Sequence, residues 1–126
     1  MGANADLIRG GWEAFARGDI DAAAATADES AEIIMPKSLP WGGTYSGPDG
    51  FKEMIVKFMS NFEEVNPDPQ AFLEAGDYVV VPVEGAGKTK SGNEISEPSI
   101  WLYEVKGGKI TRAQFYGDTA EVNAAI

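Results

Sequence analysis

The sequence contains no cysteine and no histidine. Without cysteine there is no disulfide, no thiol nucleophile and no cysteine-built metal site. Without histidine there is no Ser-His-Asp triad, no imidazole base and no His-rich metal site. Basic residues are scarce as well: 10 Lys and Arg stand against 20 Asp and Glu, a formal net charge of −10. That balance argues against a phosphate-backbone binder and against docking on an anionic membrane surface. No apolar run approaches the ~20 residues that a membrane helix needs. The opening Met1-Gly2-Ala3-Asn4 matches neither a basic-then-apolar signal peptide nor a myristoylation site. The expectation is a cytoplasmic protein with no metal, no cofactor, no nucleic acid and no membrane among its partners.

What is present is an ordinary globular mixture, 44% hydrophobic and 24% charged over 126 residues. That length suits one domain with one core, and no repeat or linker divides residues 1–126. Leu7, Ile8, Trp12, Phe15 and Ala16 recur at helical spacing. Gly18 then suits a helix stop and Asp19 an N-cap for a short, Ala-rich second helix. Residues 31–35 read as a strand closed by Pro36, and residues 37–50 as a long loop with a short ribbon around Thr44-Tyr45. Ser46-Gly47-Pro48-Asp49 opens a third helix. Its apolar positions Phe51, Met54, Ile55, Phe58, Met59 and Phe62 form one stripe, and Asn66-Pro67-Asp68-Pro69 is expected to end it.

Beyond residue 69 the period changes to that of strands. Residues 70–74, 78–85, 94–105 and 109–117 read as four strands, with turns at Gly76-Asp77 and Gly107-Gly108 and a last helical turn over 119–126. Pro82 and Pro98 lack the N–H a ladder needs, so each is expected at an edge or a bulge. Helices first and hairpins later make an α+β layout. A curved sheet cannot bury its concave face against itself, so the amphipathic helix is expected to lie across it and leave a pocket.

Four segments carry a resemblance to a known family. They are Ala14-Phe15-Ala16-Arg17-Gly18-Asp19, then 42–50 (Gly-Gly-Thr-Tyr-Ser-Gly-Pro-Asp-Gly), then Gly76-Asp77-Tyr78 with its valines, and finally 108–112 leading to Tyr116-Gly117-Asp118. In this order the chain resembles the nuclear-transport-factor-2-like superfamily and, within it, the SnoaL-like group, polyketide cyclases among them. The resemblance covers nearly the whole chain. It implies a cone-shaped, cystatin-like α+β barrel: a curved antiparallel sheet around a long amphipathic helix, with N-terminal helices, an open-ended pocket and pairing into a homodimer through the sheet.

Fold alone does not assign a function. Ketosteroid isomerases resemble this chain around Ile33-Ile34-Met35-Pro36, where they carry an Asp base before the Pro; Met35 cannot accept a proton. The epoxide hydrolases of this fold need an Asp-Arg-Asp network, and only Asp118 matches it, with Arg112 ~20 Å away along a strand and Glu32 the nearest substitute. The SnoaL-like cyclases place a carboxylate base late in the chain, where Asp118 stands. Asp118 therefore has two readings: a base whose pKa an apolar cavity raises, or the N-cap of the last helix in Asp118-Thr119-Ala120-Glu121.

The expected ligand is a small or medium apolar molecule, with Phe15, Met35, Trp41, Tyr45, Phe51, Phe58, Trp101, Tyr103 and Tyr116 as pocket residues. Cyclase- or isomerase-type proton transfer through Asp118 is one reading. A non-enzymatic binding or dimerisation module is the second, and hydrolase-like water activation the third. Glu32 and Glu84 are expected to face solvent.

Overall fold

The computed structural model describes residues 2–126. The chain opens with α1 (Ala3–Ala16) and α2 (Ile20–Ala24), followed by β1 (Ala27–Met35), β2 (Gly43–Ser46) and α3 (Gly47–Met59). Five strands follow: β3 (Phe62–Pro69), β4 (Leu73–Ala75), β5 (Tyr78–Thr89), β6 (Glu94–Lys106) and β7 (Lys109–Gly117), and α4 (Thr119–Ala125) ends the chain. No helix among the described residues is long and apolar enough to cross a membrane.

Local chemistry explains the breaks. Gly18 stands at φ +80°, a conformation only glycine adopts freely, and Asp19 caps α2 by accepting from the Ala22 N–H. Gly107 and Gly108 both have positive φ, as the two-residue turn between β6 and β7 requires. The start of α1 has no cap from Gly2. Glu74 of β4 supplies one instead, its Oε1 2.7 Å from the Ala5 N–H, and so ties the first helix to the sheet.

The strands form one sheet in the order β2-β1-β7-β6-β5-β3, with β4 also paired to β5. All pairings are antiparallel except β1 with β7, which is parallel. The sheet is curved but unclosed, with β2 and β3 as its ends, so the expected cone is an open one. Register shifts interrupt the β1–β7, β3–β5 and β6–β7 ladders, and such bulges add to curvature. Side chains on the concave face (Val79, Val81 and Val83 of β5, Tyr103 and Val105 of β6) join Ile8 of α1 and Met54 of α3 in one core.

The third helix is shorter than its apolar stripe implies. It stops at Met59, where Ser60 and Asn61 turn their side chains back onto the Lys57 carbonyl. Met59 is 41% exposed, and Phe62 belongs to β3 rather than to the helix. The Asn-Pro-Asp-Pro segment expected to terminate a helix is itself strand β3. Pro67 and Pro69 are tolerated because β3 lies at the sheet edge, with a neighbour on one side. Pro82 lies where β3 gives way to β4, its carbonyl accepting from Gln70. Pro98 lies one residue beyond the last β6–β7 pair, Ser99 with Gly117.

Candidate functional site

Helices α1 and α3 cross the concave face without filling it. Between them and β5, β6 and β7 lies a cavity of about 220 Å³. Its lining is overwhelmingly apolar, and all three tryptophans of the chain, Trp12, Trp41 and Trp101, belong to it. Alternation selects which residues reach it: on β6, Ile95, Glu97, Ser99, Trp101 and Tyr103 share the inward face. On β5 the inward positions include Gly85 and Gly87. A Cβ at Gly87 would stand 2.6 Å from the Glu64 carbonyl, so β3 closes on β5 only because that residue has no side chain.

The aromatic walls form two groups. Trp41 meets Phe58 edge-on with ring centres 5.1 Å apart, and Phe62 packs against both. Trp101 stacks on Tyr103 at 5.9 Å and meets Phe115 edge-on at 5.5 Å. Such geometries suit the ring quadrupoles. The Tyr103 hydroxyl accepts from the Trp12 indole N–H at 3.0 Å, and burial pushes its pKa well above the usual tyrosine range.

Two polar atoms of the lining residues are buried without a hydrogen-bond partner in the protein: Trp41 Nε1 and Glu97 Oε2. The other Glu97 oxygen accepts from the Asp118 backbone N–H at 2.6 Å. Desolvation raises the Glu97 pKa above its ordinary 4.5. The Asp118 N–H bond opposes the rise, and the Asp118 and Glu121 charges add to it. Glu97 is the one carboxylate of the lining, which holds no Lys or Arg.

The family model for a SnoaL-like domain matches residues 8–113. The chain belongs to the SnoaL-like family. An NTF2-like protein of unknown function from Burkholderia pseudomallei K96243 is 24% identical, with a TM-score of 0.94 over 100% of this chain and 98% of that one. TerC, co-crystallised with polyporic acid, is 23% identical, with a TM-score of 0.92 over 98% of each chain. A SnoaL-like polyketide cyclase from Jannaschia sp. CCS1 is 18% identical, with a TM-score of 0.82 over 98% of this chain and 91% of that one. At these identities the likeness is one of fold. No curated protein matches the chain.

In this SnoaL-like domain, Phe15, Met35, Trp41, Phe51, Phe58, Trp101 and Tyr103 line the cavity. Three other expected site residues are not in its lining. Tyr45 is buried, but its hydroxyl donates to the Trp41 carbonyl and it borders a separate polar groove with Asp49, Glu53 and Lys57. Tyr116 is 47% exposed because its parity on β7 turns it to the convex face. Asp118 is exposed and caps α4, its Oδ1 accepting from Ala120 and Glu121 at 3.1 and 3.2 Å. The capping reading thus describes what Asp118 does, and the base reading loses its geometry.

Water activation of the hydrolase kind loses its partners too, since Glu32 and Arg112 are exposed and neither lines the cavity. Glu84 is exposed as well. The residue that sequence reasoning missed is Glu97. The available signal was parity, because Glu97 is four residues before Trp101 on the same strand face.

Helix α4 borders the cavity. Val122 reaches the lining, Asn123 donates to the Ser38 carbonyl, and Thr89 and Asn93 donate to the Ala125 carbonyl. No residue of α4 is fully buried.

Proposed function

We propose that this SnoaL-like domain binds one small, mostly apolar molecule in the cone. The observation that carries this reading is the cavity itself: about 220 Å³, walled by aromatics and aliphatics, with one carboxylate at its side. An apolar cavity of about 150 Å³ takes up benzene, so this volume suits one ring with a substituent. A molecule with a donor and an acceptor would satisfy Glu97 Oε2 and Trp41 Nε1, each costly to leave unpaired. Any cyclase- or isomerase-type proton transfer passes through Glu97, the one carboxylate of the lining, whose pKa desolvation raises above its ordinary value. Toluene or benzyl alcohol should raise the melting temperature along a saturating curve. Ile55→Trp, which enlarges a half-buried lining residue, should abolish the rise; no rise in the parent would reject the reading.

A paired assembly has its own support. Val80, Pro82, Ile100, Leu102 and Tyr116 lie together on the convex face through the β5–β6–β7 register, and Ile100 and Tyr116 are 37% and 47% exposed. An antiparallel sheet wetted on its outer face carries polar residues there. We propose that this face joins two copies of the chain. Light scattering behind size-exclusion chromatography should give the mass of two chains; the mass of one would reject it.

A further inference from the structure

The polarity of the cavity is one-sided, and that restricts the charge of its occupant. Glu97 is the lining's one ionisable carboxylate, with no lysine or arginine in the lining beside it. Among the described residues it joins no ion pair. The charges that act on it from the start of α4, Asp118 at the cap and Glu121 in the first turn, are acidic. Opposite it on β5 stands Gly85, and on the other side Glu97 lies two residues beyond the last β6–β7 pair, Ser99 with Gly117. The whole chain carries −10. An anion entering the cone therefore meets only like charge, while a cation is drawn by the field of the whole molecule.

The walls point the same way. Trp101, Phe115, Trp41, Phe58 and Phe62 line the same cavity. Aromatic faces attract organic cations, most strongly where water is excluded. A neutral hydrocarbon fills the volume but leaves Glu97 Oε2 buried and unpaired. A carboxylate in such a place is served best by a charged N–H donor.

We infer that the cavity selects a small protonated amine on an aryl or alkyl body, its ammonium paired with the Glu97 carboxylate and its apolar part packed among the tryptophans and phenylalanines. This inference rests on the reading of the cavity as a ligand site and names the class of ligand that site takes.

Benzylamine, benzyl alcohol and benzoate share one ring and differ in charge, so isothermal titration of the full chain with each at pH 7 separates the two claims. Benzylamine should bind about tenfold or more tighter than benzyl alcohol, and benzoate should bind weakest. Glu97→Gln keeps an oxygen for the Asp118 N–H and should erase the amine's advantage, bringing benzylamine and benzyl alcohol to within about twofold of each other. Benzyl alcohol or benzoate binding as tightly as the amine would overturn the inference and leave the ligand-site reading standing. So would an amine advantage that survives Glu97→Gln. Failure of all three to bind would overturn both.

Discussion

Glu97 and Asp118 share a single short hydrogen bond: Glu97 Oε1 accepts the Asp118 backbone N–H at 2.6 Å. The bond joins the inward face of β6 to the first residue of the terminal helix cap. It uses one oxygen of the carboxylate and leaves the other, Oε2, buried without a partner. The one carboxylate of the cavity lining is thus also tied to the N-cap of α4.

This predicts a specific pH dependence. The folded-state pKa of Glu97 lies above its ordinary 4.5, so the folded chain holds that proton more tightly than the unfolded one. Stability from this group is fully present below about pH 4.5 and declines as pH rises through the raised value. Glu97→Gln has no such proton. In urea denaturation from pH 4 to 7, the stability of the parent relative to Glu97→Gln should fall as pH rises; a constant difference would contradict the placement.

Asp118→Ala should remove the cap of α4 at a cost of about 1 kcal/mol and speed amide exchange at Ala120 and Glu121. It should also lower the Glu97 pKa toward its ordinary value, because a neighbouring negative charge is lost. Titration of the Glu97 carboxyl carbon by NMR checks the second effect, which a cap acting only on its helix would not produce.

Tyr103→Phe keeps the ring stacked on Trp101 but deletes the acceptor of the Trp12 indole N–H. The expected loss is about 1 kcal/mol in denaturation free energy at unchanged m-value, the cost of leaving a partly buried donor unpaired.

Gly87→Ala places a methyl group against the Glu64 carbonyl, 2.6 Å from the ideal Cβ position. Backbone must shift to admit it, and a loss of about 1–3 kcal/mol is expected, with β3 amides exchanging faster than those of β7.

Ile100→Glu puts a carboxylate in the middle of the convex apolar face, where Ile100 pairs with Pro82 and Tyr116. It should convert a two-chain mass into a one-chain mass without lowering the melting temperature of the single chain, as light scattering and calorimetry at low concentration would read.

Much of the fold was legible because its punctuation is chemical. Gly18, Asp19, Gly76 and Gly107-Gly108 each mark a break by a conformation or a cap that few other residues supply. The error over residues 60–69 has a physical cause as well. Phe62 continues the helical spacing of Phe51 and Phe58 by coincidence of period, and a Pro-rich strand is admissible at a sheet edge that pattern alone does not reveal. The parallel pairing of β1 with β7 is a long-range choice with no local signature.

The site divides in the same way. Aromatic residues on strands and helices were expected in the cavity, and most line it, because bulk and parity together specify the inward face. Asp118 drew attention by its place late in the chain, yet its neighbours Ala120 and Glu121 claim its side chain. Glu97 was hidden among Glu94, Ser96 and Pro98, and counting in twos from Trp101 singles it out.

The central claim is that the cone holds a small apolar ligand, and the three indole N–H groups test it directly. Trp12, Trp41 and Trp101 are all the tryptophans in the chain, and all line the cavity. In a ¹H–¹⁵N titration with toluene, the account predicts that all three indole signals shift along one saturating curve while amides of the convex face stay fixed. Indole signals that stay put, or drift linearly without saturation, would contradict it.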